Sequence, residues 1–224
     1  LASESGMPPY RFTKQDEEKQ KRWVIYNKIL EKYINFCHEE LLSKKYPKVL
    51  EYLYKRKLTQ KEIIFFKIGY APNENLFYKQ LQKEFNEKEI GSSGLYFLDN
   101  KNKIYVDRFR NRITIPVRSV NGSVLAIGAR ALSKTKFAKY INSPETQFLK
   151  KGNNLYKIER VRKIWRKMDK IFLVEDYMDG ISLNKRGIEN CVDNSVKALT
   201  ERQNAIHIQC INEMVTCCDR DESG

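Results

Sequence analysis

The sequence predicts an α+β protein in which an N-terminal helical and mainly antiparallel basic subdomain is followed by a partial α/β subdomain with a parallel sheet. Three observations predict this class. Apolar residues recur at helical spacing in the first third of the 224-residue chain. Short strand-like segments surround a hairpin turn in the middle. Strands alternate with helices in the last quarter, an order that favours parallel pairing through right-handed crossovers.

The first third is predicted to be helical. From Lys14 to Leu42, aromatic and aliphatic side chains recur every three or four residues, which is the stripe of an amphipathic helix. Residues 1–9 contain serine, glycine and two prolines and are predicted to be a linker. Shorter helices are predicted from Pro47, from the capping-box residues Thr59 to Glu62, and around Leu76 to Phe85, after a break at residues 69–72.

The middle of the chain is predicted to form a small antiparallel sheet. Asn121-Gly122 is a strong hairpin signal, because both residues tolerate the positive φ of a tight turn. Residues 133–151 are polar, basic and contain proline, so they are predicted to be a loop at the rim of the sheet. The predicted strands are Leu95–Leu98, Ile104–Val106, Ile113–Val117 and Val124–Ala129.

The last quarter is predicted to be an α/β unit. The carboxyl ends of its parallel strands lie at one edge of the sheet, which is where open α/β sheets bind ligands. The predicted strands are Ile171–Val174, Ile188–Val192 and Met214–Cys218, and the predicted helices are Tyr177–Lys185 and Thr200–Asn212.

Charge is distributed unevenly along the chain. The net charge of +14 indicates a polyanionic partner such as nucleic acid or an acidic membrane. Residues 1–170 hold 37 basic and 18 acidic side chains, whereas residues 171–224 hold 5 and 10. This asymmetry suggests one surface for phosphates and another for cations, although an ordinary solvated surface would explain the charge imbalance alone equally well. No apolar run approaches the roughly 18 residues that span a bilayer, and an intracellular protein is expected.

Carboxylates follow two of the predicted parallel strands. Glu175 ends the first strand and precedes Asp176 and Asp179, while Asp219 and Asp221 follow the third strand. These side chains are predicted to converge at one edge of the sheet, where they can hold Mg²⁺, which prefers oxygen ligands.

Arginines alternate along another segment. Arg108, Arg110 and Arg112 are spaced so that in a strand all three point the same way, with Phe109 directed into the core. Arginine suits bidentate phosphate contacts, and the three in-phase side chains predict a phosphate-binding track. Arg130 and several lysines of the following loop extend the basic region.

These motifs resemble the catalytic core of the DnaG-type bacterial primases. The resemblance covers all of the chain except the linker, and the string Lys139-Tyr140-Ile141-Asn142-Ser143-Pro144-Glu145-Thr146 is its most specific part. The acidic part alone resembles the broader Toprim module of topoisomerases and some nucleases. The other matching strings are Asp107-Arg108-Phe109-Arg110-Asn111-Arg112-Ile113, Ala126-Ile127-Gly128-Ala129-Arg130, Val174-Glu175-Asp176-Tyr177-Met178-Asp179 and Asp219-Arg220-Asp221.

The resemblance implies synthesis of short RNA primers on a single-stranded DNA template from ribonucleoside triphosphates, with Mg²⁺ or Mn²⁺. It makes Glu175, Asp219 and Asp221 the catalytic acids, with Asp179 supporting the metal site and Glu175 as general base. It further implies a basic ridge that binds template and nucleotide phosphates, formed by Arg56, Arg108, Arg130, Lys139 and Lys151, with Tyr140 and Asn142 beside it.

The resemblance also implies a domain division and partners. Residues 10–168 would be the basic nucleic-acid-binding subdomain, and residues 169–224 a Toprim subdomain that is incomplete at its C-terminus. Zinc is expected only in an N-terminal domain absent from this chain, and a replicative helicase would bind a C-terminal domain that is also absent. The expected location is the cytoplasm, at the replisome and nucleoid.

Three departures from the family pattern remove glycines beside the acidic residues. Asp176 and Arg220 stand where the family has glycine, and the expected Ser-Leu-Gly-Thr stretch reads Ser195 to Thr200 here. Glycine lets a backbone approach a ligand closely, so reduced activity is expected. Two alternatives stay open, namely another Toprim enzyme such as a nuclease or topoisomerase-like protein, and a catalytically impaired nucleic-acid-binding module derived from a primase.

Overall fold

The computed structural model describes residues 13–132, 138–150, 155–164, 168–193 and 213–217. The described part mixes helices with an antiparallel and a parallel sheet, so the predicted fold class is confirmed. Several sequence predictions lie outside the described residues. These are the linker at residues 1–9, the helix Thr200–Asn212, and the side chains of Lys151, Asp219, Arg220 and Asp221.

A long helix, α1 (Lys14–Leu42), has the predicted bounds. Its start is fixed by Thr13, whose hydroxyl accepts the Asp16 backbone N–H at 3.2 Å while the Asp16 carboxylate accepts the Thr13 N–H at 3.0 Å. The apolar stripe is buried as predicted, including Leu30 and Tyr33 at 0% exposure. Four shorter helices follow, α2 (Pro47–Lys55), α3 (Gln60–Phe65), α4 (Leu76–Leu81) and α5 (Glu87–Ser92).

Six strands occupy the middle of the chain, β1 (Gly69–Ala71), β2 (Tyr96–Asp99), β3 (Ile104–Asp107), β4 (Arg112–Arg118), β5 (Val124–Ala131) and β6 (Tyr140–Asn142). One antiparallel sheet has the order β1-β4-β5-β6, and β2 pairs with β3 in a separate antiparallel ribbon. All eight residues of β5 are buried. The predicted antiparallel pairing is therefore confirmed, but the four predicted strands divide between two sheets, and β1 and β6 are additional edge strands.

The two edge strands were not predicted from the sequence. Residues 69–72 were expected to be a break, but a side chain at position 69 would come within 2.7 Å of the Cys37 backbone carbon. Gly69 thus permits close approach of β1 to α1 rather than ending a structured segment. Strand β6 was expected to be part of a loop, because its three residues are too few to show an alternating pattern.

The hairpin predicted at Asn121-Gly122 joins β4 to β5. The Gly122 N–H donates to the Ser119 carbonyl at 2.8 Å, and Gly122 has a φ of +87°. Arg118 pairs with Val124, so the turn comprises residues 119–123, and a bulge lies in the adjoining ladder, where the register shifts between Val117 and Arg118.

The last part of the described chain is an α/β unit. It contains α6 (Ile158–Ile164), β7 (Lys170–Val174), α7 (Tyr177–Lys185), β8 (Cys191–Asp193) and β9 (Glu213–Cys217). The three strands pair in parallel, as predicted, and their order in the sheet is β8-β7-β9. The helix bounds of α7 agree with the prediction, whereas β8 begins three residues later than predicted.

Helix α7 packs against the antiparallel sheet as well as its own parallel sheet. A methyl group at Gly128 of β5 would overlap the Tyr177 ring, so the glycine is needed for this approach. The Tyr177 hydroxyl donates to Asn142 Oδ1 of β6 at 2.7 Å. Tyr177 and Ile181 belong to one hydrophobic cluster with Ile113 of β4. The two sheets therefore share a core at α7.

No helix in the described ranges combines the length and the apolar character that crossing a membrane requires.

Candidate nucleic-acid and metal site

The predicted arginine track lies in a turn rather than along a strand. Strand β3 ends at Asp107, residues 108–111 form a turn, and Arg112 begins β4. The prediction that Arg108, Arg110 and Arg112 share a strand and point the same way is therefore wrong. Asn111 takes a φ of 57°, a conformation that asparagine tolerates well, and this reverses the chain direction.

A buried carboxylate holds this turn, to which we refer as the arginine turn (residues 108–111). Asp107 Oδ1 accepts the Phe109 backbone N–H at 2.7 Å, and the Tyr33 hydroxyl contacts both carboxylate oxygens at 2.9 and 2.8 Å. Phe109 is fully buried, as predicted. Burial raises the pKa of Asp107 to about 6, although the hydrogen bonds from Phe109 and Tyr33 act in the opposite direction.

Two arginines of the turn lie beside an aromatic ring. Arg108 Nε donates to the Gly94 carbonyl at 3.1 Å, and Arg110 Nη1 donates to the Asp107 carbonyl at 2.9 Å. The guanidinium carbon of each lies 5.6 Å from the centroid of the Phe97 ring. Both side chains are half-buried, so part of each guanidinium faces solvent. They form one cationic patch with Phe97 on the β2–β3 ribbon.

The remaining predicted ridge residues differ in exposure. Arg112 is buried, and its Nη1 donates to the Lys139 carbonyl at 3.2 Å. The Lys139 side chain is exposed, with Nζ 5.5 Å from the centroid of the Tyr140 ring. Arg56, at the end of α2, is exposed and donates from Nε to the Tyr52 hydroxyl at 2.8 Å. Arg56 and Lys139 can reach a phosphate directly, whereas Arg112 supports the backbone that carries Lys139.

A polar network joins the antiparallel sheet to the first turn of α7. Arg130 is 4% exposed and donates from Nε to the Tyr52 hydroxyl at 2.8 Å and from Nη1 to the Tyr140 hydroxyl. The Tyr140 hydroxyl donates to Asp176 Oδ2 at 2.8 Å, and Arg130 lies 3.6 Å from the same oxygen. Burial and the Asp176 carboxylate raise the pKa of Tyr140, so the phenol keeps its proton and donates it.

The acidic edge begins where β7 ends. Glu175 follows β7 and is exposed. Asp176, which stands where the family resemblance expects glycine, is the N-cap of α7 and accepts the N–H groups of Met178 at 2.7 Å and Asp179 at 3.2 Å. Asp179 lies in the first turn of the helix. Two of the predicted metal-site acids, Glu175 and Asp179, are therefore close neighbours at this edge.

Strand β9 leads towards the other two predicted acids. It runs parallel to β7 with Val174 opposite Cys217, so β9 ends at the edge of the sheet that carries Glu175. Asp219 and Asp221 lie outside the described residues, and their place in the site stays a prediction. Within the described ranges, no three His, Cys, Asp or Glu side chains are grouped closely enough to hold a metal ion by themselves.

A further carboxylate at this edge was missed in the sequence. Asp193 ends β8 opposite Val174, and it is 1% exposed. It follows the predicted strand Ile188–Val192 just as Glu175 follows the first strand. The rule that acids after parallel strands share one edge would have included Asp193, had it been applied to all three strands.

Comparisons with known proteins agree with this architecture. A family model described as DNA primase catalytic core, N-terminal domain, matches residues 36–162. A DNA primase of Rickettsia prowazekii is 34% identical over 226 residues, which cover 100% of this chain and 37% of that protein. A DNA primase of Clostridium acetobutylicum is 38% identical over 179 residues, which cover 79% of this chain and 29% of that protein. The chain spans about a third of the length of these curated relatives.

Solved structures are similar over most of the chain. A DnaG primase catalytic domain bound to single-stranded DNA has a TM-score of 0.82 and 26% sequence identity, with coverage of 92% of this chain and 66% of that chain. The structure of the zinc-binding and RNA polymerase domains of Aquifex aeolicus primase has a TM-score of 0.79 and 27% sequence identity. The match covers 100% of this chain and 53% of that chain.

The Asp107 carboxylate gives a pH-dependent prediction. Its pKa is raised from 3.8 to about 6 in the folded chain, so folding takes up a proton between these values. This group therefore contributes stability that is present below pH 4 and is lost as the pH rises through 6, up to about 3 kcal/mol. The Asp107→Asn variant should lack this contribution. Urea unfolding at pH 7 and pH 4.5 measures the difference, and an equal pH dependence of the two proteins would contradict the assignment.

Proposed function

The chain belongs to the family of DNA primase catalytic cores, and from this premise we propose that it holds template and metal in an enzyme that synthesises short RNA primers on single-stranded DNA. The observation that carries the proposal is the Arg130–Tyr140–Asp176 network, because it attaches a basic sheet to the acidic edge of a parallel sheet. A polymer bound by the first surface would lie beside reacting groups held by the second.

The reaction we propose is nucleotidyl transfer from ribonucleoside triphosphates, in which the 3′-hydroxyl of one nucleotide attacks the α-phosphate of the next and pyrophosphate leaves. Glu175 is the candidate general base, since it is exposed at the strand end and has room to meet a nucleotide. Glu175, Asp179, Asp219 and Asp221 would hold Mg²⁺ or Mn²⁺. A bound divalent cation would supply charge stabilisation to the phosphoryl oxygens.

The described residues fit a divalent cation in two respects. The donor set at the edge consists of carboxylates, the ligands that Mg²⁺ prefers. Both oxygens of the buried Asp193 carboxylate also lack a hydrogen-bond partner within the described ranges. Buried carboxylates without a partner are costly unless a cation or a proton compensates them.

The basic surface would bind the template and nucleotide phosphates. Arg56, Arg108, Arg110 and Lys139 have exposed or half-buried side chains for this purpose. Arg112 and Arg130 are buried and would act through the groups that they position, and Tyr140 and Asn142 lie between the two surfaces. The similarity to a DnaG catalytic domain bound to single-stranded DNA supports this role.

Other partners and the domain division follow from the family and are also proposals. They are an RNA primer as product, a replicative helicase and a zinc-binding domain elsewhere in the protein, and division of this chain at residues 168–169. The proposed place of action is the replisome.

One observation favours a second candidate function, a nucleic-acid-binding module with impaired catalysis. Asp176 replaces an expected glycine, and its carboxylate is engaged by Arg130 and Tyr140 beside the metal-site acids. A nuclease or topoisomerase-like activity is the remaining alternative. An assay that separates labelled RNA product from cleaved DNA distinguishes the three candidate functions. RNA product indicates a primase, cleaved DNA indicates a nuclease or topoisomerase-like enzyme, and neither product indicates a binding module.

The Glu175→Gln variant should lose primer synthesis by at least about 100-fold, because the amide neither accepts a proton nor contributes a charge. Binding to single-stranded DNA, measured by fluorescence anisotropy, should be unchanged. The matched control is Glu189→Gln, an exposed acid before β8, which should retain activity. Primer synthesis at the parental rate by the Glu175 variant would contradict the proposed site.

Charge reversal on the basic surface should weaken DNA binding and its salt dependence. In the double variant Arg108→Glu, Lys139→Glu, the slope of log K against log salt for single-stranded DNA should fall by about 1.4, because each lost phosphate contact removes about 0.7. Titrations at several salt concentrations measure this slope.

Lys163→Glu provides the matched control for this experiment. Lys163 lies in α6, whose Arg162 contacts Asn121 in the hairpin at the opposite end of β4 from Arg112. The two ends of β4 are about 20 Å apart along the strand. The control should keep the parental slope, and an unchanged slope in the double variant would remove Arg108 and Lys139 from the nucleic-acid surface.

A further inference from the structure

Phe97 presents an aromatic ring on the outer face of the β2–β3 ribbon. Its neighbour Tyr96 is buried and lies against the Tyr33 ring of α1. Successive residues of a strand point to opposite faces, so the Phe97 side chain points away from this core, and it is 37% exposed. A single exposed aromatic residue needs no explanation by itself, but this one lies within the cationic patch of the arginine turn.

Two guanidinium groups border the Phe97 ring without covering it. The guanidinium carbons of Arg108 and Arg110 each lie 5.6 Å from the ring centroid, near the outer limit of about 6 Å for a cation–π contact. A closer contact is found elsewhere in the chain, where Arg160 lies 4.0 Å from the Phe65 centroid. The longer distances at Phe97, together with its exposure, leave part of the ring accessible to another planar group.

The patch is continuous with the proposed nucleic-acid surface. Burial lowers the pKa of Arg112, and the positive charge of Arg110 lowers it further, so these two guanidinium groups are near neighbours. Arg112 in turn donates to the Lys139 carbonyl at 3.2 Å. On its other side the arginine turn donates to the Gly94 carbonyl, and a methyl group at Gly94 would lie 3.0 Å from Pro144 Cγ. The segment that follows β6 therefore lies beside the patch.

The chemistry of the patch fits one nucleotide of a single strand. An unpaired base has a flat π face that stacks on an aromatic ring, and the adjoining phosphates are anions that arginine binds. We propose that Phe97 is a stacking platform for a base of single-stranded DNA, with Arg108 and Arg110 on the adjoining phosphates. The inference rests on the proposed function and deepens it, because the family resemblance assigns no role to Phe97.

Two oligonucleotides of equal charge test the proposal on the full chain. One is an oligothymidylate, and the other is an abasic strand of the same length, which carries the same phosphates without bases. Phe97→Ala should weaken binding of the oligothymidylate by at least about 5-fold, the lower end of what base stacking contributes. Binding of the abasic strand should be unchanged. The slope of log K against log salt should also be unchanged, because no charge is removed. Fluorescence anisotropy measures all of these affinities.

Three further variants control for structure. Leu98→Ala should bind both strands like the parent, since Leu98 is 43% exposed on the opposite face of the same ribbon. Phe97→Leu keeps apolar bulk without the ring and should bind the oligothymidylate as weakly as Phe97→Ala. Phe97→Trp should retain the parental affinity. Its added fluorescence should be quenched by the oligothymidylate and not by the abasic strand.

The possible outcomes separate this inference from the proposed function. If Phe97→Ala loses affinity equally for both strands, the inference is overturned, because Phe97 then acts only by positioning the arginines. Parental affinity of Phe97→Ala and Phe97→Leu for the oligothymidylate would also overturn the inference while the proposed function stands. If the Arg108→Glu, Lys139→Glu variant keeps the parental affinity and salt slope as well, the proposed nucleic-acid surface is overturned with it.

Discussion

The structure depends on the junction between α7 and the antiparallel sheet. The Tyr177 ring lies against the backbone of Gly128, where any larger residue would overlap it, and the Tyr177 hydroxyl donates to Asn142. Beside this apolar contact, the Tyr140 hydroxyl joins Asp176 to the sheet. Because α7 follows directly from β7, the junction places the carboxyl ends of the parallel strands next to the basic sheet.

This junction explains how residues of opposite charge are kept close without neutralising each other fully. Arg130 is buried and directed at Asp176, so one ion pair lies inside the junction. Arg56 and Lys139 remain exposed on one side, and Glu175 remains exposed on the other. The buried pair fixes geometry, since a partly desolvated guanidinium with several hydrogen bonds has few alternative positions. The exposed charges are left available for phosphates and cations.

Elements with strong local signals could be predicted from the sequence, and the others depended on tertiary contacts. Helix α1 spans 29 residues and carries an apolar stripe at helical spacing, and its bounds were predicted correctly. Strand β1 was missed because Gly69 indicates a break locally, whereas its function is close packing on α1. The arginine turn differs from the strand that alternation predicts, because alternation alone cannot reveal the Asp107 hydrogen bonds or the positive φ of Asn111.

The predicted acidic edge followed from parallel pairing, which the sequence order of strands and helices already indicated. The central claim is that the basic sheet and this acidic edge act as one unit because Tyr140 and Asp176 join them. A double-mutant cycle with Tyr140→Phe and Asp176→Ala, measured by urea unfolding, tests this claim most directly. The account predicts a coupling free energy of about 1 to 3 kcal/mol, as expected for a partly buried hydrogen bond to a charged group. Additive effects of the two substitutions would contradict it.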